Sequence, residues 1–444
     1  MAGGIACLSA APAAAAPTIL ESNTVGVHPD GITVGSDGHL WWTDDGKLGE
    51  GPQGFGAAMV PTSFFSTTTG PSTGNPVAIA AGRTGTLWFT TSDGFLGKET
   101  LPATGGPVFG SPPIGHPQSI VNGPDGALYA TAVSGTGALC TDPGCVIDRI
   151  DQTSGATTTS TKVHSNAFAF DGDGSAPASS GIVSANGALY FVEPGIDGIA
   201  KYDPGTNAVT QIAHVPSIDG FPTDLTMGAD GKLWFTEPGA HKIGSMTPSG
   251  GSVSQYSTSG SAERIATGPD GNVWFTEPNV SEVGRVTQAG KLTEYATPTA
   301  SSSPTGITAQ RGGMAITETK SGKLAGITVG PASQTGAASA ITSTGATIAG
   351  QLNPNGSATS WVVQYGTTTS YGTSTTKTNA GTGFSSVRTS VNLTGLTPNT
   401  TYHYRLVATN STDTTYGADR TFNTTTTLAK AANRRTHGRA HRHR

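Results

Sequence analysis

One short pattern recurs along this chain and limits its fold more than any other feature. A glycine-containing turn, most often Gly-x-Asp-Gly, is followed by an aliphatic and then an aromatic residue, as in "GADGKLWFTE" and "GPDGNVWFTE". Copies occupy residues 35–44, 82–91, 123–132, 184–193, 228–237, 268–277 and 310–318. Successive aromatic positions are 47, 41, 61, 44 and 40 residues apart, and the seventh copy, 41 residues further on, has Ala315 there. A repeat of roughly 40 residues that reads as four strands is typical of a propeller blade.

Within one unit the letters predict four antiparallel strands. In the sixth copy these are "RIATG", "NVWFTE", "SEVGRVT" and "KLTEYAT", with "PDG" as the tight turn between the first two. Seven such units must close into a ring. The segment "TILES" at residues 18–22 precedes the first copy, and we expect it to supply the outer strand of the last unit. That closure would remove an exposed sheet edge.

Composition supports an all-β chain and excludes several functions. Only 12% of the residues are charged and 63 of 444 are glycine, which suits short strands and tight turns and argues against helical bundles. Basic and aromatic residues do not interleave, so no nucleic-acid partner is expected. No run of 18 apolar residues predicts a membrane span. A nucleophile elbow, a P-loop, a dinucleotide fingerprint and a zinc signature are all absent, and we expect no organic cofactor.

The two ends of the chain differ in character from its body. Residues 1–16 resemble either the back half of a secretory signal or an alanine-rich leader, and we expect a secreted or cell-surface protein of bacterial type. In such a compartment Cys140 and Cys145, in "CTDPGC", are predicted to form a local disulfide. The net charge is −5, yet the last fifteen residues carry Lys430 and five arginines, which leaves −11 for the rest.

The repeat, written "GPDGNVWFTE" followed by "EVGRVT", resembles the streptogramin B lyase (virginiamycin B lyase) family of seven-bladed β-propellers. This resemblance assigns residues 17–330 to the propeller. Residues 331–425 alternate like the strands of a sandwich, and "LTGLTPNTTYHYRLVATN" resembles the fibronectin type III signature, with Trp361 and Tyr402 in its core. Residues 426–444 are expected to be a basic disordered tail, either solvated or in contact with anionic cell-wall polymer. We expect a monomer.

The residue that starts the first strand of each unit and the residue that ends the second should be cross-strand neighbours at the mouth of the central channel. The predicted pairs are Asp30 with Asp44, Val77 with Thr91, Gln118 with Ala132, Ser179 with Glu193, Thr223 with Glu237, Glu263 with Glu277, and Thr305 with Glu318. Half of these residues are acidic, which predicts an acidic rim suited to Mg²⁺ or Ca²⁺. The alternative is structural, with each glutamate bonding the backbone of the next blade.

The family resemblance implies a specific chemistry and a departure from it. Streptogramin B lyases open a cyclic depsipeptide by elimination across an ester, assisted by Mg²⁺, with a Glu-x-His-Gly-Ile-Thr motif on the last blade. Here "SPTGIT" places Ser303 and Thr305 at the Glu and His positions, and Glu263 stands at the family's other histidine, while Glu318 matches the retained acid. Because a threonine cannot accept the proton that an imidazole accepts, the resemblance implies that the family's general base is missing.

Two hypotheses follow for the function. The first is a propeller that binds a small-molecule or cell-surface ligand at the acidic rim without lyase chemistry. The second is a divergent metal-assisted carbon–oxygen lyase or hydrolase that opens an ester or lactone, with a displaced histidine as its base. Candidate bases are His28, His116 and His241. Candidate catalytic acids are Glu263, Glu277 and Glu318, and the candidate metal ligands are Glu237, Glu277 and Glu318.

Overall fold

The computed structural model describes residues 16–68, 72–83, 85–103, 107–109, 116–133, 145–163, 181–217 and 219–426. Within these ranges, strands β1 to β28 form seven four-stranded antiparallel sheets. These strands are β1 (Ile19–Glu21), β2 (Ile32–Val34), β3 (His39–Asp44), β4 (Lys47–Pro52), β5 (Ser63–Ser66), β6 (Pro76–Ala81), β7 (Thr86–Thr91), β8 (Leu96–Thr100), β9 (Val108–Phe109), β10 (His116–Asn122), β11 (Leu128–Val133), β12 (Cys145–Ile150), β13 (Thr157–Lys162), β14 (Ile182–Ala185), β15 (Ala188–Glu193), β16 (Gly198–Asp203), β17 (Ala208–His214), β18 (Leu225–Met227), β19 (Leu233–Glu237), β20 (Lys242–Met246), β21 (Ser254–Ser257), β22 (Ile265–Thr267), β23 (Val273–Glu277), β24 (Glu282–Val286), β25 (Leu292–Ala296), β26 (Pro304–Gln310), β27 (Gly313–Glu318) and β28 (Lys323–Thr328).

Each sheet is one blade of a seven-bladed propeller, as the repeat predicts. Strands β2–β5 form blade 1, and blades 2 to 6 follow in groups of four up to β25. Blade 7 combines β26, β27 and β28 with β1 from the other end of the chain. There Ile19 is paired with Ile327, and Glu21 with Ala325, so the segment at residues 18–22 closes the ring as predicted.

The repeated letters have a physical reason in the first hairpin of each blade. In blade 6, Asp270 accepts hydrogen bonds from the backbone N–H of Asn272 (3.1 Å) and from Nε1 of the buried Trp274 (3.2 Å). Gly271 between them has φ of +78°, a left-handed conformation that favours glycine. The same Asp-to-indole bond occurs in blade 5, from Trp234 to Asp230 at 3.1 Å. The aspartate, the glycine and the aromatic residue therefore specify one turn.

A two-sheet sandwich follows the propeller, in agreement with the predicted all-β fold. Its strands are β29 (Ala332–Ser339), β30 (Gly345–Asn353), β31 (Thr359–Gly366), β32 (Thr373–Ser374), β33 (Thr378–Gly381), β34 (Val387–Thr394), β35 (Thr401–Thr409), β36 (Thr414–Tyr416) and β37 (Arg420–Asn423). Strands β29, β30 and β34 form one sheet, and β31 and β35 are central in the other. Trp361 and Tyr402 are both in the core, as predicted. The fibronectin type III assignment itself stays a prediction.

Helical structure is confined to single turns in the described residues: Gly56–Ala58, Pro194–Ile196 and Pro238–Ala240. None of the helices in this part of the chain has the length and apolar character that crossing a membrane requires. The leader at residues 1–15, Cys140, Ser179 and residues 427–444 of the tail lie outside the described residues.

A buried acid between blades 1 and 2 gives a pH-dependent prediction. Glu99 is 3% exposed, and its Oε2 has no hydrogen-bond partner. The pKa of Glu99 is raised from 4.5 to about 7, mainly by burial and also by the neighbouring carboxylate of Glu50, against the bond that Thr100 N–H donates. The folded protein therefore holds a proton between pH 4.5 and 7 that the unfolded chain has already released. The free energy of unfolding falls as the pH rises through this window.

We expect Glu99→Gln to stabilise the protein at pH 8 by about 1–2 kcal/mol, because the amide stays neutral and avoids the cost of a buried charge. At pH 4 the two proteins should be equally stable, since the carboxyl group is then protonated in both states. Urea unfolding of both proteins at several pH values between 4 and 8 measures the difference. A difference that does not change with pH would contradict this explanation.

Candidate functional site

The starts of the first strands meet at one end of the propeller axis, opposite the Gly-x-Asp-Gly turns. There the structure has a cavity of about 380 Å³ formed by blades 1, 2, 6 and 7, which we call the axial mouth. Its lining residues are His28, Asp30, Asp44, Asp45, Asn75, Pro76, Val77, Glu263, Arg264, Thr305 and Thr319. Four of the seven residues predicted to start first strands at the channel mouth are among them: Asp30, Val77, Glu263 and Thr305.

Threonines of the second strands fix these strand starts. The Oγ1 of Thr276 donates to the backbone oxygen of Thr305 in the next blade (2.8 Å), and Thr317 Oγ1 donates to that of Asp30 (2.5 Å). Thr236 Oγ1 makes the equivalent bond to Glu263 at 3.3 Å. Each of these threonines is fully buried and directly precedes the repeat glutamate. The contact to the next blade that the structural alternative gave to the glutamate is therefore made by the threonine.

The axial mouth carries charges of both signs. Asp30 and Glu263 supply carboxylates from blades 1 and 6, and Arg264 supplies a guanidinium beside them. Burial raises the pKa of Glu263, the positive charge of Arg264 opposes this, and the negative charge of Asp30 adds to it. Glu263 is therefore close enough to both other charges to interact with them electrostatically. A half-buried set of charges of both signs suits a ligand with its own polar groups in fixed positions.

His28 stands at the edge of the mouth beside a carboxylate. Its Nδ1 lies 2.7 Å from Oδ2 of Asp45, and both side chains are exposed. The buried Asp44 fixes the loop that carries His28. Its carboxylate accepts hydrogen bonds from the backbone N–H of Val27 (3.0 Å) and of His28 (2.8 Å). Lys47 Nζ lies 3.5 Å from Asp44 Oδ2 and offsets its negative charge. An imidazole held by a carboxylate on one nitrogen leaves its other nitrogen for a ligand or a proton.

The repeat glutamates do not ring the axial mouth, which corrects the predicted acidic rim. Glu193, Glu237, Glu277 and Glu318 are all 0% exposed, and none of them lines the cavity. The reason is the alternation of side chains along a strand, which puts each glutamate on the opposite face from the threonine before it. Of the acids predicted for the rim, Asp30, Asp44 and Glu263 line the cavity.

Three of these four glutamates instead accept hydrogen bonds from their own blade or from the segment that leads into it. Glu237 accepts two bonds from Nε2 of Gln255, at 2.9 and 2.7 Å. Glu318 Oε2 accepts the hydroxyl of Ser321 at 2.9 Å, and burial raises the pKa of this glutamate to about 7. Glu277 Oε1 accepts the backbone N–H of Gly260 at 2.7 Å.

The predicted metal set of Glu237, Glu277 and Glu318 is not brought together. In the described part of the chain, two groups of three or more ligand-bearing side chains have their ligand atoms within 4.8 Å of one another. They are Asp37, His39 and Glu50, and Glu277, Glu282 and Glu294.

The other predicted site residues lie away from the mouth or outside the described residues. His241 ends the turn after β19, with φ of +51°, and its Nε2 is 3.5 Å from Ser261 Oγ. His116 starts β10, and its side chain is outside the described residues. Cys145 is disulfide-bonded, but Cys140 lies outside the described residues, so their pairing stays a prediction.

Sequence reasoning missed Arg264, the cation of the mouth. It directly follows Glu263 in "ERIAT", and a charged residue in the position after a strand start was a signal that could have indicated it. A larger cavity of about 760 Å³ between blade 6 and the sandwich was also missed. There Arg285 and Asp413 pair with each other at 2.5 Å, so these two charges neutralise one another. The axial mouth is the better candidate site, because the starts of first strands from four blades meet there.

The chain matches the Virginiamycin B lyase family over residues 152–368. Its fold is similar to that of selenomethionine-substituted virginiamycin B lyase from Staphylococcus aureus, with a TM-score of 0.58 and 20% identity, over 70% of this chain and 99% of that one. A streptogramin B lyase structure gives 0.57 at 22% identity, over 70% and 97% of the two chains. A catalytically inactive variant of the Staphylococcus aureus virginiamycin B lyase with quinupristin gives 0.57 at 21%, over 70% and 99%.

No curated protein matches the chain in sequence. At identities near 20%, the structural matches establish the propeller fold and leave the reaction open, because one fold serves many functions. The propeller is thus similar to that of the streptogramin B lyases.

Proposed function

We propose that the axial mouth of this virginiamycin B lyase-like propeller binds a small polar ligand through Asp30, Glu263 and Arg264. The observation that carries the proposal is the convergence of these charges, from blades 1 and 6, on one cavity of about 380 Å³. The carboxylates would accept hydrogen bonds from a cationic or donor group, and the guanidinium would donate to a carbonyl or carboxylate. The ligand is free in solution or displayed on a cell surface.

A second candidate is the opening of an ester or lactone, and the His28–Asp45 pair favours it. In this function His28 is the general base, with Asp45 holding the imidazole by its Nδ1 at 2.7 Å. The candidate metal ligands were Glu237, Glu277 and Glu318. They do not fit one ion at the mouth, because all three are fully buried in different blades and none of them lines the cavity. The mechanism for this candidate therefore uses no metal in that position.

Quinupristin and a panel of simple lactones test both functions with the intact chain. We expect a ligand of the mouth to bind about tenfold or more weakly to Glu263→Gln and to Arg264→Gln, because each change removes a charged partner. Calorimetric titration measures the affinity. His241→Ala is the matched control, since this histidine does not line the cavity. Binding that all three variants retain would place the site elsewhere.

Mass spectrometry and NMR separate binding from turnover in the same samples. Hydrolysis adds one water to the lactone, while elimination opens the ring at constant mass and creates a carbon–carbon double bond. Turnover lost in His28→Ala and kept in His241→Ala supports the second candidate. Binding without either product supports the first.

A further inference from the structure

Three glutamates of blade 6 gather outside the axial mouth. Glu277 ends β23, Glu282 begins β24 as its register partner, and Glu294 in β25 is paired with Gly284. Their ligand oxygens all lie within 4.8 Å of one another. None of the three lines the cavity of the mouth, so the cluster is a separate feature.

The same three positions are neutralised in blade 5. There the register places Lys242 opposite Glu237, and Gln255 opposite Gly244. Gln255 Nε2 donates to both oxygens of Glu237, at 2.9 and 2.7 Å. Lys242 Nζ donates to Gln255 Oε1 at 3.2 Å. Blade 5 therefore satisfies its buried glutamate with an amide, which a lysine holds in turn.

Blade 7 also has a lysine beside its buried glutamate, although Glu318 Oε1 has no hydrogen-bond partner. Its register places Lys323 opposite Glu318, and Glu21 of β1 opposite Ala325. Lys323 Nζ lies 2.6 Å from Oε2 of Glu21. In both neighbouring blades a lysine occupies the position that Glu282 holds in blade 6.

Blade 6 offers its three carboxylates few donors. Ser259 donates its backbone N–H to Glu294 (2.7 Å) and its hydroxyl to Glu282 (2.7 Å). Glu277 is 0% exposed, and while its Oε1 accepts Gly260 N–H, its Oε2 has no hydrogen-bond partner. No ion pair found among the described residues involves any of the three glutamates.

An unpartnered carboxylate oxygen in a buried position is costly unless a cation or a proton compensates it. Glu277 Oε2 is such an oxygen, and the carboxylates of Glu282 and Glu294 lie beside it. A cation held between the three carboxylates would remove this cost.

We propose that Glu277, Glu282 and Glu294 bind one divalent cation, and that Ca²⁺ is preferred. Ca²⁺ accepts six to eight oxygen ligands in flexible geometry, whereas Mg²⁺ requires a tighter octahedron and dehydrates reluctantly. Three carboxylates on three neighbouring strands, two of them partly exposed, leave room for water to complete such a shell. The ion would also order Ser259 and Gly260, which lie just before Glu263 and Arg264 of the mouth.

Thermal unfolding of the chelator-treated full chain, with and without Ca²⁺ or Mg²⁺, tests the proposal. We expect a hundredfold excess of Ca²⁺ over its dissociation constant to raise Tm by at least about 3 °C, because only the folded state has the site. Mg²⁺ should have a smaller effect. Calorimetry should show one Ca²⁺ per chain. An unchanged Tm, or a larger effect of Mg²⁺ than of Ca²⁺, would overturn the proposal as stated.

A double variant, Glu282→Lys with Glu294→Gln, gives blade 6 the lysine and glutamine that blade 5 has at the equivalent positions. We expect it to lose the response to Ca²⁺ and to gain Tm in the metal-free state, because the lysine and amide replace the ion. This gain separates loss of the site from a failure to fold. Glu50→Gln, in the other acidic group, is the matched control and should keep the Ca²⁺ response. A response that persists in the double variant or disappears in Glu50→Gln would refute the assignment.

Discussion

Gly97→Ala should destabilise the propeller by about 2–3 kcal/mol, in the range for overpacked cores. Gly97 is opposite Phe89 in the hairpin of β7 and β8, and a Cβ built on it would lie 2.1, 2.4 and 2.6 Å from atoms of the Phe89 ring. Real Cβ contacts are never so short, so the ring or the backbone must move. The clash outweighs the stabilisation of about 0.4–1 kcal/mol that Gly-to-Ala replacements give through the unfolded state.

Blade 7 supplies the control for this prediction. In its register Ala325 is opposite Ile316, where blades 1, 2, 5 and 6 place glycine opposite a large aromatic ring. The double variant Gly97→Ala with Phe89→Ile copies that pair into blade 2. We expect urea unfolding to show that it recovers part of the stability lost in the single variant, since the added methyl group then has space. If the two changes only add, steric conflict between these side chains is not the cause.

Deletion of residues 1–22 should cost roughly 4 kcal/mol or more, because it removes β1 and leaves β28 as an exposed edge. Besides the strand pairing, Ser22 N–H donates to Leu324 O at 2.8 Å, and Glu21 pairs with Lys323 at 2.6 Å. Ile19 packs against the buried cluster of blade 7. We also expect the truncated protein to self-associate through the open edge. Differential scanning calorimetry and light scattering measure the two effects.

A synthetic peptide of residues 17–24 provides a direct test of the cause. Added to the truncated protein, it should restore most of the lost Tm by strand addition, and a scrambled peptide should not. Rescue by neither peptide, together with an unchanged association state, would contradict the idea that the edge itself is responsible.

The repeat made the blades predictable because each recurring letter has a local cause. The Asp270 carboxylate, the left-handed Gly271 and the buried Trp274 specify their turn from within five consecutive residues. Ring closure by residues 18–22 was predictable too, since seven repeats require it. The turns depend on contacts between residues close in sequence, and the ring closure follows from the number of repeats.

The candidate site was only partly predictable, because it depends on the direction in which each side chain points and not only on the position of the residue along its strand. Antiparallel pairing correctly placed Glu263 and Glu277 at the same end of a hairpin. It did not show that Glu277 faces into its blade while Glu263 faces the mouth, which depends on neighbouring blades. Arg264 was missed for the same reason. It belongs to the site because it lines the same cavity as Asp30, which is close in space and far along the chain.

The two-ended construction of blade 7 has a consequence for the order in which the protein folds. The register pair Ile19 and Ile327 joins positions separated by most of the propeller. A ribosome must therefore release six complete sheets before the first strand meets its partner. Contacts of such long sequence separation form slowly. The nascent chain consequently carries an unpaired strand for most of its synthesis, and final closure coincides with the emergence of the sandwich, which begins at Ala332.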